Sequence, residues 1–178
     1  MSRPESVTVA ARSLRNRLID NASSMARRTG LKLDDFLPYL VNRVGAALVA
    51  RFTREALASE HLTIDKWRVL AALCENGGQR QVDLAGMTSI ETSTVSRLVT
   101  RLIHHGLVTR SRSRTNSREV VVQLSPRGAV LMRKLIPIAR GLERAALEGI
   151  PAKDLAAIKG WLRRIYANLG SRGSAVVR

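Results

Sequence analysis

Cysteine is nearly absent from this chain. Cys74 is the only one in 178 residues, which excludes an intramolecular disulfide framework and a cysteine-built metal centre. Histidine is scarce too: His61, His104 and His105 are the full set. Adjacent histidines on a helix point about 100° apart, and no Asp or Glu stands at ligand spacing beside them, so no metal site is expected. No stretch approaches the roughly 18 uninterrupted apolar residues of a membrane span, so no membrane partner is expected. A glycine-rich phosphate loop, a nucleophile elbow and evident paired acids are also missing, which argues against an enzyme and leaves no cofactor to assign.

What is present is a core and a large positive charge. Hydrophobic residues make up 45% of the chain, enough to exclude wholesale disorder, and the length suits one domain. Thirty Lys and Arg against 14 Asp and Glu give +16. The excess is uneven. Residues 36–91 carry six of each sign, whereas residues 92–118 carry six arginines and no acid. A solvated helix face ordinarily mixes signs, because i,i+4 pairs help and like charges repel. The acid-free window reads either as a solvated basic loop or as a surface whose counter-charges belong to a phosphate backbone. High positive charge without disulfides points to an intracellular partner of a polyanion, with nucleic acid the first candidate.

Along the chain, residues 1–30 are rich in Arg and Ser. They read as an extra helix or a basic arm, with a transit peptide as the less favoured alternative. Leu37, Leu40, Val41, Val44, Leu48 and Phe52 follow helical spacing and predict a long amphipathic helix over about 34–59, with Pro38 in its first turn. Thr63 is a plausible N-cap of the next helix. Val69, Leu70, Leu73 and Cys74 form its buried stripe, so Cys74 reads as a packed core thiol. Asn76-Gly77-Gly78 ends that helix. A short helix carrying Val82, Leu84, Ala85 and Met87 follows, then a break at Thr88-Ser89.

The next helix, over 91–105, places Val95, Leu98, Val99, Leu102 and Ile103 on one face. At 100° per residue the opposite face holds Ser93, Arg97, Thr100, Arg101 and His104, flanked by Thr94 and Ser96. Ser and Thr can donate to phosphates or base edges, and Arg can engage guanine O6 and N7 together. An ordinary surface helix, the bland alternative, would usually show Glu here. Gly106 stops the helix. Residues 107–109 and 120–124 are β-prone, and the nine residues between Thr109 and Glu119 include Arg110, Arg112, Arg114 and Arg118 but nothing apolar. Two strands closed by a basic loop after a helix-turn-helix make a winged helix. Ser125-Pro126 opens another helix, in which Pro137 is expected to cause a kink. Ile150-Pro151 breaks the run, and Leu155, Ile158, Leu162, Ile165 and Leu169 define a last helix.

In this order the sequence resembles the MarR family of bacterial and archaeal transcription regulators, over about residues 34–170. Three stretches carry the resemblance. Leu62-Thr63 with Trp67-Arg68-Val69-Leu70 is similar to the family's second-helix opening. Leu84-Ala85 followed by Ser93-Thr94-Val95-Ser96-Arg97-Leu98-Val99 is similar to its recognition-helix signature. Gly106-Leu107-Val108, Asn116-Ser117-Arg118 and the run from Val122 to Gly128 are similar to its wing and exit. The resemblance implies a mostly α fold. It comprises a winged helix-turn-helix (62–124) with a short two-strand β-wing, and a helical dimerisation region from both chain ends (34–60 and 125–170). An N-terminal basic extension (1–33) and a flexible tail (171–178) flank it.

By the same resemblance Arg118 matches the arginine that enters the minor groove, where narrow A·T-rich DNA concentrates negative potential. Asn116 replaces the family aspartate, which loosens the wing and makes it more positive. An obligate homodimer is implied, with two recognition helices in successive major grooves of a pseudo-palindromic operator. The DNA-binding set is then Ser93, Thr94, Ser96, Arg97, Thr100, Arg101, Arg110, Arg112, Arg114 and Arg118. An effector pocket is implied near Trp67, with Tyr39, Arg43, His61 and Arg68 as candidates. An arginine near aromatics suits a small anionic aromatic or an acyl-thioester. Packing and surface roles are the bland alternatives for these five. The functional expectation is a cytoplasmic, nucleoid-associated, ligand-responsive regulator on double-stranded DNA, most often a repressor in this family. The rival is a nonspecific architectural DNA-binding protein, which the +16 charge alone would satisfy.

Overall fold

The computed structural model describes residues 31–112 and 119–170. Residues 1–30 of the N-terminal extension, Arg114, Asn116, Arg118 and the tail therefore lie outside the described residues. The described residues fall into two compact units that part between Ala47 and Leu48.

In the first unit a 3-10 turn, Leu33–Asp35, precedes helix α1 (Leu37–Phe52). Pro38 stands in the first turn, where its missing N–H leaves no helical bond unmade. Leu37, Leu40, Val41 and Val44 recur at helical spacing, yet all are exposed.

The second unit begins with the end of α1, which passes into a π-helical turn (Thr53–Leu57) and a 3-10 turn (Ala58–Glu60). The sequence predicts one uniform helix here. The observed π turn shifts the register by a residue, and Phe52, Ala56 and Leu57 are buried. His61 then closes the segment at φ 53°.

Thr63 caps helix α2 (Ile64–Asn76), its Oγ1 accepting the Lys66 N–H at 3.3 Å. Val69, Leu70 and Leu73 are its core stripe. Cys74 is exposed, contrary to the packed thiol expected from the sequence. At 100° per residue it sits about a quarter turn from the centre of that stripe, in the last helical turn, where no neighbour covers the stripe's edge. Gly77 takes φ 73° and ends the helix.

Helix α3 (Gln81–Thr88) and helix α4 (Thr92–His104) are joined by a turn in which Ser89 adopts φ 55°. Strands β1 (Val108–Arg112) and β2 (Val120–Leu124) pair antiparallel, with Val108 opposite Leu124 and Arg112 opposite Val120. Gln79 adds an isolated bridge outside the two strands: it exchanges both backbone hydrogen bonds with Val122, at 2.9 and 2.8 Å. Val95, Leu98, Val99 and Leu102 of α4 meet Leu70, Leu73, Leu84, Val108 and Val122 in one core.

Helix α5 (Pro126–Ala146) starts as the sequence predicts. Ser125 Oγ accepts the Gly128 N–H at 2.9 Å and donates to the Gly106 carbonyl at 2.7 Å. The first turn of α5 is pressed onto the corner after α4: a Cβ built on Gly128 would stand 2.0 Å from the Leu107 carbonyl oxygen. The helix runs through Pro137 without interruption. Helix α6 (Ala152–Gly170) contributes only a half-buried Leu155; Ile158, Leu162, Ile165 and Leu169 are exposed.

Candidate nucleic-acid interface

Helix α4 owes its orientation to its apolar stripe. Val95, Val99 and Leu102 are fully buried, and Leu98 nearly so. That fixes the opposite face outward. Ser93, Arg97, Thr100 and Arg101 are exposed, and Thr94 and Ser96 are half-buried at the flanks, as the periodicity predicts. Arg97 Nη2 donates to Thr94 Oγ1 at 3.3 Å, and Thr100 Oγ1 donates to the Ser96 carbonyl at 3.1 Å. Neither arginine of α4 is in an ion pair among the described residues, so both guanidinium groups remain available for an external anion. The helix has no acid in its first turn; its N-cap is Glu91, whose carboxylate makes no capping bond and offsets part of the positive dipole end there.

The wing root extends this surface. Arg110 and Arg112 on β1 are exposed beside the buried Val108. A feature without a sequence signal fixes the root. Arg80, just ahead of α3, reaches Asp83 through Nε–Oδ2 (2.7 Å) and Nη2–Oδ1 (2.9 Å), and also Glu119 before β2 at 3.6 Å. The bidentate bond from Arg80 holds the Asp83 carboxyl below its ordinary range, and Asp83 raises Arg80 in return. With the Gln79–Val122 rung, this ties the second strand to the helix-turn-helix. Gln79 stands outside any periodic run, so pattern reading has no purchase on that rung.

The five effector candidates are divided between the two units, and within the second unit Trp67 and Arg68 border one groove and His61 another. Tyr39 and Arg43 belong to the first unit, where the Arg43 guanidinium lies 5.6 Å from the Tyr39 ring centre and 3.8 Å from Asp34. In the second unit Trp67 is half-buried, edge-on to Phe52 with ring centres 4.9 Å apart. Trp67 and Arg68 line an open groove of about 470 Å³ between α2 and α3, which Met87 and Glu75 also border. Arg68 is partnered by Asp65 at 3.4 Å. His61 opens onto a different cleft, toward Arg127 and His105.

Three helices, a turn at Ser89 and a two-strand wing define a winged helix-turn-helix. The comparisons carry this to the family. Residues 62–120, which hold the winged helix-turn-helix, match the family model described as the MarR family. The transcriptional repressor NicR of Pseudomonas putida is 28% identical over 127 residues, 71% of this chain and 80% of that protein. BpsR of Bordetella bronchiseptica, whose DNA binding is regulated by 6-hydroxynicotinic acid, superposes with TM-score 0.67 at 27% identity, covering 76% of this chain and 96% of BpsR. A MarR family regulator of Silicibacter pomeroyi gives TM-score 0.71 at 29% identity, over 76% and 91% of the two chains.

Proposed function

We propose that the protein is a homodimeric, sequence-specific transcription repressor released from a pseudo-palindromic operator by a small anionic aromatic or acyl-thioester effector. The observation that carries the reading is the outer face of α4, where Ser, Thr and unpaired Arg are exposed and acids are absent. Arg97 and Arg101, with Ser93, Thr94, Ser96 and Thr100, read the major groove. Arg110 and Arg112 contact phosphates, and Arg114 and Arg118 carry the wing into the minor groove.

The dimer is supported by apolar faces that the described residues leave uncovered. On α6, Ile158, Trp161, Leu162, Ile165 and Leu169 are 37–72% exposed, and on α1 Leu37, Val41 and Val44 are 45–60% exposed. Burying each such side chain stabilises by about 1.5–3 kcal/mol, which a second copy supplies most simply. The repressor NicR and the ligand-regulated BpsR support the reading of repression and of an aromatic acid as effector. Trp67 and Arg68, with Tyr39, Arg43 and His61, are the effector candidates. Differential binding of the effector to the DNA-incompetent spacing would contribute about 1–3 kcal/mol of coupling, a 5–150-fold loss of affinity.

Selection of bound fragments from genomic DNA at about 150 mM salt tests the reading. A two-fold-symmetric motif is expected. Tight binding with no enriched motif would favour the architectural alternative, which the +16 charge alone satisfies.

A further inference from the structure

Helix α6 buries no residue, and side-chain bonds tie it to the rest of its unit. Lys159 Nζ donates to Glu143 Oε1 on α5 at 2.8 Å, across 16 residues of sequence. About 10 Å further along the helix, the Tyr166 hydroxyl lies 2.8 Å from Ser89 Oγ, across 77 residues. The first bond joins two helices that follow one another, as any helical hairpin permits. The second reaches the turn of the helix-turn-helix itself.

Ser89 is the exposed point of that turn. It caps α3 with φ 55° and ψ 36°, its N–H donating to the Ala85 carbonyl. Its neighbours are held from within. Thr88 is buried, its Oγ1 donating to the Leu84 carbonyl at 2.6 Å, and Ile90 is half-buried against the core. Tyr166 meets the turn from outside. Only Ile90 and Glu91 separate Ser89 from α4, whose first turn carries Ser93 and Thr94 of the reading face. A displacement of Ser89 is therefore delivered to the start of the reading helix.

The residue type at this point argues for its side chain. A positive φ costs any residue with a Cβ and costs glycine almost nothing. Among the described residues Gly77, Gly106 and Gly149 take positive φ, and only His61 and Ser89 do so without being glycine. Glycine would suit the backbone at position 89 better, but it lacks the hydroxyl that meets Tyr166. Tyr166 is itself 63% exposed, so little of its ring is packed and its phenol oxygen is the atom with a defined partner.

We infer that Tyr166 is a positioning residue for the reading helix: through Ser89 its hydroxyl holds the turn from which α4 starts, so the stance of α4 depends on α6. The bond's hold on α4 rests on this geometry alone; its consequence for base discrimination rests on the proposed DNA reading. On that reading α6 also carries the apolar face assigned to a second copy, and Tyr166 directly follows Ile165 of that face. One helix then joins the two copies and steadies the reader of each.

The test uses the full chain with Tyr166→Phe, Ser89→Gly, the two combined, and Ser89→Asn. Tyr166→Phe removes one hydroxyl. Ser89→Gly removes its partner while easing the backbone, so a purely conformational role for residue 89 predicts a steadier turn and a hydroxyl role predicts the same loss as Tyr166→Phe. Asn tolerates positive φ and offers an amide to the phenol. The first readout needs no DNA: hydrogen exchange at the Thr94 and Val95 amides, which both donate to the Glu91 carbonyl at 2.9 Å. Loss of one exposed hydrogen bond should speed their exchange about 2- to 10-fold in Tyr166→Phe and in Ser89→Gly, with no further gain in the combined variant and parent-like rates in Ser89→Asn. The second readout is the ratio of affinities for the selected motif and for random DNA, which should fall by a similar factor in Tyr166→Phe at an unchanged unfolding temperature. Unmoved amides in Tyr166→Phe, slower exchange in Ser89→Gly, additive effects in the combined variant, Ser89→Asn behaving as Ser89→Gly, or an unchanged affinity ratio would each overturn the inference. A parent protein with no enriched motif would instead end the repressor reading, and the amides would still decide whether Tyr166 holds α4.

Discussion

At the scale of single residues, the sharpest predictions come from atoms with little room or one dominant partner. Gly128 is the first. An alanine Cβ would press to 2.0 Å from the Leu107 carbonyl, a backbone atom that cannot swing away. Gly128→Ala should therefore destabilise the fold by about 1–3 kcal/mol, the usual cost of overpacking, read as a lower urea midpoint. Asp83 is the second. Arg80 holds its carboxyl below the ordinary 3.8, so the folded protein keeps the charged form more readily than the unfolded chain does. The contribution is thus complete above the ordinary value and is lost as pH falls through the folded value. Urea midpoints of the protein and of Asp83→Asn should differ by a constant amount at neutral pH and converge only below about pH 4. A difference that persists unchanged in acid would mean that the Arg80 bond is not its source. Arg97 is the third, and it tests function. If it pairs with a guanine, Arg97→Ala should cost about 1–3 kcal/mol and relax base preference at one position of each half-site. An even loss across all sequences would reduce Arg97 to a phosphate contact.

At the scale of elements, legibility followed the quality of the local pattern. Helix α4 is legible because one face is apolar and the other wholly polar: Val95, Leu98, Val99 and Leu102 are buried, Ile103 is half-buried, and Ser93, Arg97, Thr100, Arg101 and His104 are exposed. The Thr63 and Ser125 caps were legible because cap chemistry is local. The π turn at Thr53–Leu57 was not, since no side-chain period marks a register shift. Cys74 was misplaced because it lies at the edge of a stripe, where burial depends on which neighbour comes alongside rather than on spacing. The cleft around Arg127 was illegible for a related reason: its walls come from the segments near 60, 105 and 130, and only the packing of α5 onto the α4–β1 corner assembles them. Helix α6 gives the element-scale prediction. Its apolar stripe is legible as a stripe, and no described residue covers it. Leu162→Glu should leave the helical content of the winged helix intact while converting a dimer to monomer in light scattering, and DNA affinity should fall with it. A monomeric parent protein would remove the proposed role of this face.

At the scale of the whole molecule, the question is how a net charge of +16 is divided between holding DNA and choosing it. Phosphate contacts release counterions whatever the sequence, whereas base contacts discriminate without adding much to the salt dependence. On the proposed reading the architecture separates these roles. Arg97 and Arg101 project from a rigid helix whose rotation is fixed by four buried residues, which suits directional base contacts. Arg110 and Arg112 project from the exposed edge of β1, beside a hairpin tethered through Gln79 and Arg80, which suits backbone contacts. Replacing both wing-root arginines by alanine would remove about four phosphate contacts from a dimer, so the slope of log affinity against log salt should fall by about 3–4. Affinity should drop equally for the selected motif and for random DNA, leaving their ratio unchanged. Titration of both DNAs at several salt concentrations measures slope and ratio together. An unchanged slope would place Arg110 and Arg112 away from the phosphates. A fallen ratio would make the wing root part of the sequence-reading surface and move discrimination from α4 alone to α4 and the wing together.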